Sequence, residues 1–205
     1  MVLILSLFMD VDCHRFISAG LDSPLMKKPR LILGVTGSIS AYRAADVVSI
    51  LTKAGVEVDV VVTREGLKFV TTLTLQTLSR RSVYTDDMPD GVEGRPTHIG
   101  LADDADLVLI APATANLIAQ YALGLAPNLL TSLLLATPAP VYMAPAMNGK
   151  MWKHPAVQAN VKTLKDRGVH FIGPDQGLLA CGYEGIGRLW PADKIANDIL
   201  KKLKS

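Results

Sequence analysis

The stretch "LLACGYEGIGR", residues 178–188, follows Gly177 and sets Cys181 beside Gly182, Gly185 and Gly187. Glycines leave little side chain for a thiol to pack against, so the usual role of a buried cysteine as a small hydrophobe does not explain it. They do suit a loop that folds over a ligand. A thiol of ordinary pKa, about 8.5, is mostly protonated at neutral pH and can donate a proton. "GVTGSIS" brings glycines and hydroxyls to a strand-to-helix turn, where backbone N–H groups and the helix dipole favour phosphate. It matches neither G-x-G-x-x-G nor G-x-x-x-x-G-K-[ST], so a simple tight turn is the competing reading. The next strand ends in Val62-Thr63-Arg64, without the acid that holds a dinucleotide's ribose, which favours a mononucleotide phosphate over NAD or ATP. "APATAN" offers Thr114 and Asn116 at a helix start, for a ligand or for N-capping. "APAMNGKMW" sets Asn148 past a strand end beside Met147, Met151 and Trp152, either at a ligand or in a capped helix packed on the core. His98, in "RPTHIGLADDADL", is a candidate base or a solvated structural histidine.

These groups need a frame, and the hydrophobic pattern supplies one. "RLILGV" reads as a buried first strand and "ISAYRAADVVSILTKAG" as a helix stopped at Gly55. "VEVDVVVT" is a second strand by its β-branched content, followed by a helix over "LKFVTTLTLQTLS". Residues 80–96 mix Asp, Gly, Pro and Arg and read as a long loop. "ADLVLIAPAT" is a third strand, followed by helices "ANLIAQYALG" and "NLLTSLLLA" and the strand "APVYMAPAM". "HPAVQANVKTLKDRG" is an amphipathic helix with Pro155 in its first turn. Strand "VHFIG", the glycine-rich loop and the helix "PADKIANDILKKLK" close the chain. Strands alternating with helices imply parallel βαβ units, hence an α/β, doubly wound, Rossmann-like sheet with helices on both faces. In such a sheet ligands bind beyond the carboxyl ends of the strands, where all the candidate segments from "GVTGSIS" to "APAMNGKMW" fall.

The chain has 205 residues, one ordinary domain, with 21 Lys plus Arg against 19 Asp plus Glu and a net charge of +2. That balance gives no electrostatic case for nucleic acid or an anionic membrane. Two cysteines, Cys13 and Cys181, point to a reducing compartment, and the scattered His14, His98, His154 and His170 have no zinc-site spacing, so no metal is expected. Residues 107–149 carry no charge, yet Gln120, Pro127, Asn128 and Thr131 interrupt the longest apolar run, which disfavours a spanning helix. Core elements also buried by a partner subunit are the better reading. "MVLILSLFM" lacks a basic n-region and is followed by Asp10 and Asp12, a poor signal peptide. Residues 1–25 are expected to be an extension, disordered or from a misassigned start, with the domain over 26–205 and a cytoplasmic location.

Together, "GVTGSISAY", "THIGLADDADLVLIAPATANLIAQ", "PAMNGKMW" and "GLLACGYEGIGRL" resemble the homo-oligomeric flavin-containing cysteine decarboxylases, over residues 30–204. The resemblance implies FMN, in agreement with the mononucleotide argument. It implies flavin contacts from Gly37, Ser38, Ile39, Thr63, Ala113, Thr114, Ala115, Asn116, Ala146 and Met147. His98 corresponds to the family's active-site histidine, Cys181 to its catalytic acid, and Asn148, Met151 and Ala180 to substrate-binding positions. The implied reaction is decarboxylation of 4'-phosphopantothenoylcysteine to 4'-phosphopantetheine in coenzyme A synthesis. The resemblance also implies trimers or multiples of them and a separate ligating synthetase. Alternatives are a peptidyl-cysteine decarboxylase of lantibiotic type and a non-catalytic regulatory flavoprotein. Pro127 in "GLAPNLL" departs from the family's acid and puts local contacts at the flavin or subunit interface in question.

Overall fold

The structure is a computed structural model that describes residues 28–88, 91, 94–178, 182 and 184–204. Six strands, β1 (Arg30–Val35), β2 (Glu57–Val62), β3 (Val83–Thr85), β4 (Leu107–Ala113), β5 (Val141–Pro145) and β6 (His170–Phe171), form one parallel sheet in the order β3-β2-β1-β4-β5-β6. The helices are α1 (Ala44–Lys53), α2 (Thr72–Ser79), α3 (Thr97–Asp104), α4 (Ala115–Ala122), α5 (Leu129–Ala136), α6 (Gly149–Lys153), α7 (Pro155–Asp166) and α8 (Ala192–Lys202). The strands are apolar on both sides because each face is covered. Leu31, Leu33 and Val35 of β1 pack with α1, α2 and α8, whereas Ile32 joins a second core with α3, α4, α5 and α7. This is the expected doubly wound architecture.

Three local expectations are corrected. The segment read as one helix over "LKFVTTLTLQTLS" is a 3-10 turn at Gly66–Lys68 and then α2, because Thr71 is extended and its hydroxyl accepts the Thr74 N–H as an N-cap. The expected loop over 80–96 contains β3, a three-residue edge strand paired with β2, too short to show a period of its own. The glycine-rich segment is flanked by antiparallel strands, β7 (Asp175–Leu178) and β8 (Glu184–Arg188), where only loop was expected. Glycines weaken the strand signal, and the pairing supplies what propensity does not.

At the strands' amino ends lies a charge network. Asp59 on β2, 1% exposed, accepts from Arg30 Nε at 2.6 Å and from Arg81 Nε at 2.7 Å. Arg30 also reaches Asp104, and Arg81 reaches Glu57 at 3.0 Å. The hydrogen bond to Asp59 is the main cause holding the Arg81 guanidinium above its ordinary pKa. Burial opposes the charge of Arg30, and Asp59 and Asp104 outweigh it, so that pKa is also raised. Among the described residues no helix is long and apolar enough to cross a membrane, and no cluster of His, Cys, Asp and Glu is placed to hold a metal ion.

Candidate functional site

β1 and β4 are neighbours whose chains leave towards opposite faces, β1 into α1 and β4 into α4. In a doubly wound sheet that divergence opens a crevice beyond the carboxyl ends of the strands. Here it is a cleft of about 600 Å³. Thr36, just past β1, ties the two sides together: its hydroxyl donates to Pro112 O at 2.7 Å and accepts the Thr114 N–H at 3.2 Å. Pro112 has no N–H for the ladder, and the β4–β5 register shifts between Ile110 and Ala113.

Two turns face each other across this tie. Ser38 caps the 3-10 turn at Ile39–Arg43 by accepting the Ser40 N–H at 3.3 Å. Thr114 caps α4 by accepting from Leu117 N at 3.4 Å. The capping reading of Thr114 is therefore correct, and it leaves the first-turn amides of Ala115 and Asn116, which no intrahelical carbonyl reaches, at the cleft wall. Gly37 is fixed by space, since a Cβ there would lie 2.4 Å from the Glu65 Cβ. Thr63, 6% exposed, donates its N–H to Val35 O at 3.0 Å, and its hydroxyl accepts from Gly66 N at 3.2 Å.

The third wall follows β5. Ala146 N–H donates to Ala113 O at 3.0 Å, and Met147 N–H donates to Gly187 O at 2.9 Å, joining this turn to β8. Asn148 caps α6, its Oδ1 accepting from Lys150 N at 2.8 Å, which turns the side-chain amide into a fixed part of the cleft. Met151 follows and is half exposed.

The cleft thus brings together Gly37, Ser38, Ile39, Thr63, Thr114, Ala115, Asn116, Ala146, Met147, Asn148 and Met151. Ala113 does not line it: the side chain is fully buried in β4, and only its carbonyl serves the site, through Ala146. His98, in the first turn of α3, is half-buried and is not on the cleft wall of its own chain. Ala180 and Cys181 lie outside the described residues, as does Cys13.

Sequence reasoning missed several wall residues. Thr36 and Ser40 belong to the "GVTGSIS" stretch already singled out, and Gln120 lies one helical turn after Asn116. Glu65, at the N-cap position of the 3-10 turn after β2, also lies on the wall. Arg188 and Leu178 bound the quoted glycine motif and Tyr42 closes "GVTGSISAY", all without an assigned role, and Asn128 is read in sequence only as an interruption of the apolar run. Pro127 is accommodated: it precedes Asn128, which forms a capping box with Thr131, and Asp86 accepts the Leu129 N–H at 3.0 Å. Glu65 and Arg188 are the charged side chains lining the cleft among the described residues.

Comparison with known proteins agrees with this geometry. The signature of the family described as "Flavoprotein" matches residues 22–204. A Streptococcus mutans protein named probable phosphopantothenoylcysteine decarboxylase is 44% identical over 176 residues, 85% of this chain and 98% of that protein. The coenzyme A biosynthesis bifunctional protein CoaBC of Bacillus subtilis is 45% identical over 171 residues, 83% of this chain; the chain spans 42% of that longer relative. Among solved structures, a PPC decarboxylase mutant complexed with pantothenoylaminoethenethiol superposes with a TM-score of 0.81 at 31% identity, covering 87% of this chain and all of that one. The FMN binding protein AtHal3 superposes with a TM-score of 0.77 at 31% identity, covering 87% and 98%. By the extent of these matches and by its sheet and cleft, the chain belongs to the flavoprotein family.

Proposed function

We propose that the chain binds FMN in the β1/β4 cleft and decarboxylates 4'-phosphopantothenoylcysteine to 4'-phosphopantetheine, a step of coenzyme A synthesis. The observation that carries the reading is the convergence of the Gly37–Ile39 turn, the Thr114–Asn116 helix start and Asn148 on one cleft at the sheet's switch point.

The cleft fits a flavin mononucleotide. The α4 first-turn amides and the Gly37 turn form a phosphate cradle with room for a backbone approach and none for a Cβ. Gln120 Oε1 is buried on the cleft wall without a hydrogen-bond partner among the described residues, the kind of orphaned acceptor that a ligand N–H or O–H satisfies. The names of the solved relatives, one an FMN binding protein, support the same cofactor.

When bound, FMN would oxidise the substrate thiol to a thioaldehyde, whose C=S takes up the electrons left by CO₂ as a simple alkyl carboxylate cannot, and would later return the hydride equivalent. Asn148 holds the departing carboxylate through a neutral amide, which binds it without the positive charge that would stabilise the ground state. Met151, on the same cleft wall, and Ala180 are the further substrate-binding positions of this reading. Cys181 gives the late proton that completes the product, a task matched to a protonated thiol. His98 orients the substrate or takes its proton from a neighbouring subunit, since the cleft wall of its own chain does not include it. Exposed Leu123, Leu125 and Leu135 support a homo-oligomer, and the proposed assembly is a trimer or a multiple of one with the cleft at subunit contacts. The cytoplasm is the assigned compartment, and cysteine ligation is assigned to a synthetase distinct from this domain.

The test is CO₂ release by the FMN-loaded protein from 4'-phosphopantothenoylcysteine beside a cysteine-ended peptide. Faster release from the former is expected. Release from the peptide alone would move the chain to the peptidyl-cysteine class, and release from neither would make it a binding protein.

A further inference from the structure

If the substrate is that phosphorylated cysteine conjugate, it brings two anions to the protein, and its cofactor brings a third. Two have places in the cleft. The amides at the Gly37 turn and at the start of α4 suit the cofactor phosphate, and Asn148 suits the carboxylate. The substrate's own phosphate has none. It sits at the far end of an arm of three residue-length units, roughly 10 Å when extended.

Arg188 is the one cationic side chain on the cleft wall among the described residues. It also lines a second cavity of about 540 Å³ that meets the cleft at Ser40, Tyr42 and Arg188. Most described arginines are engaged: Arg30, Arg43, Arg64, Arg81 and Arg95 with carboxylates, and Arg167 with Ala122 O. Arg188 has no carboxylate partner among the described residues, and its Nη1 packs 3.1 Å from where a Gly177 Cβ would lie. An exposed guanidinium gains little from the fold, and its fork is shaped for a phosphate. Its place in the chain fits. Gly187, the preceding residue, holds the Asn148 turn through the Met147 N–H, so Arg188 starts beside the carboxylate site and leads away from it. Of the other charges lining the second cavity, Arg43 pairs with Asp46, and Lys53 is balanced in sign by Asp193, so a dianion gains most beside Arg188 and the hydroxyls of Ser40 and Tyr42.

We infer that Arg188, at the junction of the two cavities, binds the terminal phosphate of the substrate and makes the enzyme selective for phosphorylated over unphosphorylated pantothenoylcysteine. The inference rests on the decarboxylase reading above. The experiment compares kcat/KM for the two compounds in the FMN-loaded wild type, Arg188→Gln and Arg188→Lys, with FMN affinity measured by flavin fluorescence. The wild type should prefer the phosphorylated form by roughly 10- to 100-fold, mostly through KM, as expected for a charged hydrogen bond made in ground and transition states alike. In Arg188→Gln the preference should collapse to within about threefold, and Arg188→Lys should keep part of it, because a point charge replaces a fork. FMN affinity should not move. The inference is overturned if Arg188→Gln retains the full preference, or if it loses FMN, which would give Arg188 to the cofactor phosphate. Equal use of both compounds by the wild type overturns it while leaving the decarboxylase reading intact. Turnover of neither overturns that reading, and the inference with it.

Discussion

Replacing Gly187 by alanine tests how the hairpin and the Asn148 turn depend on each other. Gly187 has φ +132°, a region almost closed to L side chains. A Cβ there would lie 2.3 Å from Met147 O, 3.3 Å from Gly149 N and 3.4 Å from Asn148 C, all backbone atoms that no rotamer change can move. Ordinary contact requires the two segments to part by about 1 Å, which breaks the 2.9 Å Met147 N–H to Gly187 C=O bond. The backbone conformation costs about 1–3 kcal/mol and the lost hydrogen bond about 1 more. The total, about 2–4 kcal/mol, lowers Tm by roughly 5–15 °C in a domain of this size. Because the displaced turn carries Asn148, a shift of about 1 Å should also cost on the order of 100-fold in kcat/KM. Gly55→Ala is the control: φ is +87° with nothing within 4 Å of the added Cβ, so only strain of about 1 kcal/mol applies, with activity kept. Thermal melts and CO₂ release on both variants decide the matter. If Gly187→Ala melts with Gly55→Ala and keeps activity within about twofold, the hairpin does not position the turn.

Asp59→Asn leaves two arginines without their shared buried carboxylate and should cost about 3 kcal/mol, lowering Tm by roughly 6–12 °C; an unchanged melt would mean that Glu57 and Asp104 suffice. Asn148→Asp keeps an equally good helix cap but sets an anion against the substrate carboxylate, so Tm should hold while kcat/KM falls by roughly 100-fold or more; unimpaired turnover would take Asn148 out of the substrate site. Gln120→Leu removes a buried acceptor that has no partner among the described residues. The apoprotein should be as stable or gain about 1 kcal/mol, while FMN binds roughly 5- to 30-fold more weakly; an unaltered FMN affinity would mean that the acceptor is satisfied elsewhere.

The sheet was legible because its strands are buried on both faces and therefore run as continuous apolar blocks, such as "RLILGV" and "ADLVLIAPAT". The switch-point cleft followed from that topology together with the turn residues at the strand ends. What pattern did not reveal is set by pairing and by close approach. β3 exists because β2 offers an open edge to three residues, and β7 and β8 hold each other despite their glycines. Thr36 looks like one more hydroxyl in a turn until its two bonds are seen to join β1 to β4. The motif assigns Ala113 to the flavin, whereas the register shift between Ile110 and Ala113 breaks the alternation of β4, buries the Ala113 side chain in the core with α4 and α5, and leaves its carbonyl to hold Ala146. Arg188 has no evident task within its sequence motif, because only the fold shows that it stands where two cavities meet.

The central claim is that this cleft uses FMN to remove the cysteine carboxylate. The direct measurement is release of labelled CO₂ from 4'-phosphopantothenoylcysteine carrying the label in that carboxylate, with and without FMN restored to apoprotein. The account predicts many turnovers per subunit only when FMN is present, with phosphopantetheine as product. Release that does not depend on FMN, or none from protein shown to hold one FMN per cleft, would contradict it.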